Sequence, residues 1–319
     1  MKVVVADGPL LDQILGLTFE IWNEGLTRHA YGQWNAAQLR TPWGRQHLQR
    51  FALVDDAGQL LATAKRYRYR VRLDGRIGWM AGIGAVFTPH LRRGKGYASQ
   101  LIERLLDIER REGTLFAALF SEIGPVFYER LGFVPIPLDD VTISVVRRNG
   151  APAILVRAGD QRDLPAIEAM HHVRSANARF ALNRDRTMIH YALAKKRLLA
   201  GLGRDGLRQV EFVVAEEGAS AVAYAVLQEN ANGWTLEEAG DRDPAAARLG
   251  AMLQVLVARE PSAPMPVIRA WWPAVFPVPP QITLTDRSPA RDVFMIRPLA
   301  DVPMPAKAED VFYWHSDYF

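Results

Sequence analysis

Cysteine is absent from all 319 residues. Its absence excludes disulfides, thiolate zinc sites, iron–sulfur clusters and a cysteine nucleophile. Long apolar runs are also missing, and none approaches the about 20 residues that a bilayer-spanning helix requires. The opening stretch, MKVVVADGPLLDQ, turns polar too early for a secretory leader. These features lead us to expect a cytoplasmic protein. Excess charge is scarce as well. The formal net charge is +4, yet Lys65, Arg66, Arg68, Arg70 and Arg72 contribute +5 within one run, which leaves −1 for everything else. A generally basic protein is excluded, and neither a nucleic-acid nor a membrane partner is expected. What is present is a hydrophobic content of 49% against 23% charged residues. That balance is typical of a globular chain, and the length suits about two domains.

The basic run alternates with period two, so it reads as a strand. Arg66, Arg68, Arg70 and Arg72 fall on one face, while Lys65, Tyr67, Tyr69 and Val71 fall on the other. We expect the arginine face to be solvated and the tyrosines to pack inward. Around this strand the chain reads as two similar halves and a tail. In the first half, an opening strand at 3–6 precedes helices at 10–22 and 35–49. Strands follow at 51–55, 61–72 and 76–88, then a helix from about 96 to 112 and a strand at 115–120. A short helix at 125–131 and strands at 133–135 and 141–146 close the half. The stretch 147–150 (Arg-Arg-Asn-Gly) is the natural boundary. The second half repeats this order from strand 153–157 to strand 292–296. A strand is expected at 267–272, and the seven prolines between residues 261 and 280 argue against regular helix or central sheet in the rest of that connection.

The strongest chemical signal is Arg93-Gly94-Lys95-Gly96-Tyr97-Ala98, placed between a strand and an amphipathic helix. Glycines in such a turn let successive N–H groups converge, and the helix start adds its positive dipole end. The order required of a Walker loop is missing, as is the dinucleotide fingerprint at the first strand. Read alone, the turn is either a pyrophosphate cradle or an ordinary strand-to-helix connection.

The segment resembles motif A, [Q/R]xxGx[G/A], of the GNAT superfamily of acyl-CoA-dependent N-acyltransferases. Arg93 takes its first place, Gly96 its fourth and Ala98 its sixth. Some thirty residues on, Phe127-Tyr128-Glu129-Arg130-Leu131-Gly132-Phe133 is similar to the FYxxLGF stretch of the same family. The resemblance implies that acetyl-CoA is the co-substrate. Arg93, Gly94, Lys95, Gly96, Tyr97 and Ala98 would hold its pyrophosphate. Backbone groups of Ala85, Val86 and Phe87 would meet the pantetheine arm and thioester, with Ser121 and Glu122 lining the strand end beside it. Tyr128 would protonate the departing thiolate, since a phenol near pKa 10 can serve a thiolate whose thiol lies near 8.5. Phe19, Trp22, Glu24 and Trp34 sit where the family frames the acceptor amine.

The family's strand-borne glutamate is missing. The strand before motif A reads Trp79-Met80-Ala81-Gly82-Ile83-Gly84-Ala85. The layout resembles the tandem, enhanced-intracellular-survival branch of the family, in which a C-terminal carboxylate returns to act as base. This resemblance makes the Phe319 carboxylate a candidate base, with Asp317 and His315 as rivals. That branch also carries a sterol-carrier-like insertion, for which this chain has too little sequence.

In the second half the motif A position reads Asp241-Arg242-Asp243-Pro244, so its cradle is expected to be lost. His171 and His172 are adjacent on a helix and do not face one metal, so no metal site is expected.

The expected fold is therefore α/β (α+β). It consists of tandem GNAT-like domains, each a mixed, mostly antiparallel twisted sheet flanked by helices. The expected domains are a catalytic one at 1–148, a degenerate one at 149–300 and a tail at 301–319. The expected activity is acetyl transfer to a small amine, such as an aminoglycoside or polyamine. The alternatives are an acyl-CoA-binding sensor or regulatory protein without turnover and, behind it, a protein-amine acetyltransferase. The resemblance is also compatible with a homo-oligomer.

Overall fold

The computed structural model describes residues 1–146, 153–259 and 265–319. In chain order the elements begin with β1 (Lys2–Val5), α1 (Gly8–Trp22), α2 (Arg28–Arg40), α3 (Pro42–His47), β2 (Leu48–Val54), β3 (Leu60–Leu73) and β4 (Arg76–Phe87). Then come α4 (Tyr97–Arg111), β5 (Phe116–Ser121), α5 (Val126–Glu129), β6 (Val134–Ile136), β7 (Asp139–Val145), β8 (Leu155–Ala158), α6 (Leu164–Ser175), β9 (Phe180–Leu182) and α7 (Arg186–Leu202). The chain ends with β10 (Arg208–Glu217), β11 (Ser220–Asn230), β12 (Gly233–Asp241), α8 (Ala247–Val257), β13 (Ile268–Trp271), β14 (Ile282–Pro289), β15 (Val293–Pro298) and β16 (Val311–Phe312). The fold is mixed α/β, with two mostly antiparallel sheets flanked by helices. Among the described residues, no helix is long and apolar enough to cross a membrane.

The first unit comprises residues 1–136, 292–306 and Phe319. Its strands lie in the order β1-β2-β3-β4-β5-β15-β6, and the β4–β5 pair is parallel. Helix α4 buries Leu101, Ile102, Leu105 and Leu106 against Ala81, Ile83, Ala117 and Leu119. That stripe has helical spacing, which is why it was readable from sequence. The helix expected at 35–49 is interrupted instead. Thr41 accepts the Gly44 N–H (3.0 Å) and Pro42 opens a new turn, so α2 stops and α3 starts.

The tyrosines of β3 pack inward as expected, and Arg70 is exposed, but the expectation that the whole arginine face is solvated is corrected. Arg66 is buried and pairs with Glu109 of α4 at 2.7 Å, and Arg68 reaches Glu112 at 2.7 Å. Arg68 and Arg70 also lie over the Trp79 ring at 4.9 and 5.0 Å. Helix α4 is amphipathic, but its polar residues near the C-terminal end turn toward the sheet because these arginines wait there.

The second unit comprises residues 137–291 and 307–318. Its strands lie in the order β8-β10-β11-β12-β13-β7-β14, and among the described residues β12–β13 is the parallel pair. Position for position this is the order of the first unit. One place is filled in an unexpected way. The sixth strand of the first sheet is β15, from late in the chain, and the sixth strand of the second sheet is β7, from the early half. Strand 141–146 therefore does not close the first unit as its place in the sequence suggested. Residues 293–298 pair with β5 (Val293 opposite Ser121, Pro298 opposite Phe116) and leave β7 to pair with β13 and β14. The expected boundary at 147–150 lies outside the described residues.

Candidate active site

The Arg93–Ala98 segment forms the turn that its composition implied. Gly94 has φ +76° and Gly96 φ +74°, both left-handed, and Gly96 is the cap residue of α4. A Cβ at either glycine would meet nothing within 4 Å, so the requirement for glycine comes from the backbone angle. The first intrahelical bond runs from the Gln100 N–H to the Gly96 carbonyl (3.0 Å). The N–H groups of Tyr97, Ala98 and Ser99 are then the orphan donors of the helix start. They open onto a cleft of about 380 Å3 lined by Val86, Thr88, Arg92, Arg93, Gly94, Gly96, Tyr97, Ala98, Ser99, Ile123, Phe127 and Tyr128. Arg93 Nε donates to the Thr88 carbonyl (3.2 Å), which ties the turn to the strand end.

Strand β4 opens toward this cleft for two reasons. Its parallel ladder with β5 covers only Met80–Gly82 against Phe116–Ala118. Next, Lys65 faces Gly84 and Thr63 faces Phe87, so Ala85 and Val86 together oppose the single residue Ala64. This is a β-bulge, and Ala85 carries its strain at φ +48°. A bulge withdraws backbone groups from the ladder at the place where the resemblance puts a thioester. Val86 lines the cleft, whereas the Phe87 ring turns into the core and packs edge-on against Trp22 (6.4 Å).

Tyr128 lies on the four-residue helix α5, capped by Pro125, and lines the same cleft while 8% exposed. Its ring is wedged edge-on against Phe127 (4.9 Å) and Phe133 (6.1 Å). Burial pushes its phenol up to about 12, and the nearby Glu122 carboxylate pushes the same way. Glu122 is exposed, and Ser121 donates to the Gly124 carbonyl (2.6 Å), holding the turn that carries Tyr128. Lys95 is exposed on the turn. Sequence reasoning missed Thr88, Arg92, Ser99, Ile123 and Phe127 as lining residues. Of these, Ser99 and Arg92 adjoin the glycine turn and were reachable by extending it one residue either way.

Phe319 is seated on β3 and β4. Its ring lies 5.3 Å from Tyr67, 5.2 Å from Tyr69 and 5.3 Å from Phe120. Two glycines make room for it. A Cβ at Gly82 would fall 2.7 Å from the ring, and one at Gly84 would fall 3.3 Å from the main-chain oxygen of Phe319. Its main-chain oxygen therefore lies one residue before the bulge. The rival bases are engaged within the second unit. Asp317 accepts the Trp314 N–H (3.0 Å) and stands 3.7 Å from Arg184, and burial raises its carboxyl to about 6 against the pull of Arg184. His315 Nδ1 is 2.9 Å from Glu237, which also holds Lys196 at 2.6 Å. Burial alone would raise Glu237, but Lys196 and His315 outweigh it and bring it to about 2.

The residues expected around an acceptor are partly gathered. Phe19 packs edge-on against Tyr31 (5.8 Å), Tyr31 adjoins the buried Trp34 (6.5 Å), and Trp22 adjoins Phe87. Glu24 is exposed on a turn at φ +54°.

The second unit keeps the turn, and its helix start is occupied. Ala246 caps α8 at φ +53°, as Gly96 caps α4, at a cost of roughly 1–2 kcal/mol for a residue with a Cβ. Asp241, 1% exposed, directs one carboxylate oxygen to the Leu249 N–H (2.8 Å) and the other to the Asp243 N–H (2.8 Å). The helix start thus receives its anion from its own chain.

Residues 19–136 match the family model described as acetyltransferase (GNAT) domain. No curated protein sequence matches. Among the solved structures that share the fold are the following three. An Enterococcus faecalis V583 protein of unknown function, described as a probable N-acyltransferase, has a TM-score of 0.68 and 14% identity, over 93% of this chain and 72% of its own. A GCN5-related N-acetyltransferase from Kribbella flavida has a TM-score of 0.64 and 16% identity, over 93% and 70%. Saccharomyces cerevisiae N-myristoyltransferase with bound myristoyl-CoA has a TM-score of 0.54 and 12% identity, over 93% and 78%. Each alignment spans both units. The segment 19–136, which holds the Arg93–Ala98 turn and Tyr128, carries a GNAT acetyltransferase domain.

Proposed function

We propose that this chain transfers an acetyl group from acetyl-CoA directly to the amine of a small molecule, both substrates being bound together, in the tandem manner of the enhanced-intracellular-survival branch. The observation that carries this reading is convergence. Orphan N–H groups at a helix start, a bulge that frees strand backbone, and a buried tyrosine all border one cleft.

The residues present fit CoA. The left-handed glycines open the backbone toward the cleft, and Tyr97, Ala98 and Ser99 can donate to a pyrophosphate, with Arg92 and Arg93 beside them. The co-substrate supplies an activated acyl thioester. Backbone groups at Ala85–Phe87 face the carbonyl oxygen as it gains charge and need no reorganisation to do so. The Phe319 carboxylate accepts the proton that the attacking amine must lose, and Tyr128 donates a hydrogen bond to sulfur as the C–S bond breaks. Because the chain has no cysteine, no acyl-enzyme forms on a thiol of its own. The role given to Phe319 requires it to be the last residue of the mature chain, which intact mass measurement of the native protein establishes.

Release of CoA thiol from acetyl-CoA in the presence of a panel of amines tests the reading. Turnover with at least one amine, saturable in both substrates, is expected. Tight acetyl-CoA binding with thiol release no faster than background for every amine would instead identify a sensor. The cradle has its own test. Gly96→Val forces a β-branched residue to φ +74°, a strain of roughly 1–3 kcal/mol, and should weaken CoA binding about tenfold by calorimetry.

A further inference from the structure

Opposite residues on neighbouring strands share a sheet face. Arg50 of β2 is opposite Lys65 of β3, and Lys65 is opposite Gly84 of β4. One pair along, Leu48, Tyr67 and Gly82 form the next row. This is the face on which Phe319 sits, away from the face where Arg66 and Arg68 meet Glu109 and Glu112. Helix α2 contributes Tyr31 and Trp34, and Lys65 Nζ lies 5.8 Å from the Trp34 ring.

Arg50 is the odd member of this face. It is 6% exposed, its Nη1 has no hydrogen-bond partner, and among the described residues no carboxylate lies within ion-pair distance of it. The groups that bear on it electrostatically are the phenols of Tyr31 and Tyr67. Burial of an unpaired guanidinium is costly, and a chain that only needed to fill this space would do better with an apolar side chain. Tyr67 links Arg50 to the reacting end of the site. Its Cε2 lies 3.2 Å from the Cβ position of Gly84, the same point that is 3.3 Å from the Phe319 oxygen, and its hydroxyl end is the part that feels Arg50. The face therefore offers, in order, a proton acceptor at Phe319, an aromatic stretch, and a buried cation.

We propose that Arg50 anchors a carboxylate on the acceptor, so that the acceptor is a carboxylate-bearing amine of the amino-acid class with an apolar body. This deepens the acetyl-transfer reading and rests on it. It also turns away from the polyamines and aminoglycosides that the sequence suggested, because a polycation would bring further positive charge to Arg50 and Lys65.

Matched acceptors test the proposal: phenylalanine against phenethylamine, 4-aminobutyrate against butylamine, and 6-aminohexanoate against hexylamine. The intact protein should prefer the acid of at least one pair by about 100-fold in kcat/KM, the worth of one charge-assisted contact. Arg50→Gln should collapse that ratio and Arg50→Lys should restore part of it. Binding of the acetylated acids, followed by calorimetry without turnover, should be lost in Arg50→Gln. Because Arg50 is unpaired without substrate, Arg50→Met should raise the melting temperature, whereas an arginine kept for structure alone would lower it. Equal rates for acid and neutral partners, or a ratio unchanged in Arg50→Gln, would overturn the proposal. If no amine is acetylated, the acetyl-transfer reading fails, and binding of the acids to wild type but not to Arg50→Gln still decides the role of Arg50.

Discussion

Deletion of Phe319 lowers kcat by about 10²–10⁴-fold, the usual worth of a positioned general base, and changes acetyl-CoA affinity little. The two parts of the residue separate under different changes. Adding one glycine after Phe319 converts its carboxylate to a peptide group but keeps the ring, which Gly82, Tyr67, Tyr69 and Phe120 still hold. The loss in kcat should match that of the deletion. Phe319→Ala keeps a terminal carboxylate and removes the ring that seats it, so its loss should be intermediate and fall partly on KM. Steady-state rates of thiol release measure all three. Full activity in both the deletion and the extension would remove Phe319 from the chemistry and leave its ring as packing for two glycines.

Tyr128→Phe lowers kcat by about 10²–10³-fold with KM for acetyl-CoA nearly unchanged. The size follows from what the phenol is able to do. At about 12 it is a weaker acid than a thiol near 8.5 by about 3.5 units, or roughly 5 kcal/mol. Complete proton transfer to a free thiolate is therefore uphill, and the sequence-based picture of a simple acid is sharpened to that of a hydrogen-bond donor. It helps sulfur as charge gathers there, which is the kind of contact whose removal costs two to three orders of magnitude. The direction of the shift has a pH consequence. A phenol raised by burial keeps its proton through the neutral and mildly alkaline range, so the alkaline loss of kcat assigned to it lies near 12 and not near 10. Glu122→Gln removes the second cause and should move that limb downward. Phenolate absorbance read against the Tyr128→Phe variant checks the assignment independently. A tyrosine titrating near 10 that disappears in the variant would contradict it.

Local chemistry was the legible part of this molecule. The Arg93–Ala98 turn and the stripe of α4 are set by neighbouring residues, so glycine spacing and helical period were enough to find them. The alternation of β3 was also legible, but which face met solvent was not. Arg66 pairs with Glu109, 43 residues away, and no local pattern announces that pairing. Arg50 was passed over for the same reason. It falls between the helix expected at 35–49 and the strand expected at 51–55, and only the register places it in a row with Lys65 and Gly84. What fills the helix start of the second half is tertiary and had no local signal: Asp241 reaches Leu249 across eight residues, and Ala246 adopts an angle its composition argues against. The exchange of β7 and β15 was least legible, since both strands look like natural closing strands for the halves in which they are written.

That exchange sets a schedule for the nascent chain. When β5 and β6 leave the ribosome, the place between them belongs to a strand about 160 residues further on. At synthesis rates of about 5–20 residues per second the wait is roughly 8–30 s. Through that interval β5 presents an unpaired edge, and β7, already made, has no sheet to join. The first sheet, though begun first, has the gap between β5 and β6 filled only after every strand of the second sheet has been made, when Val293–Pro298 arrives.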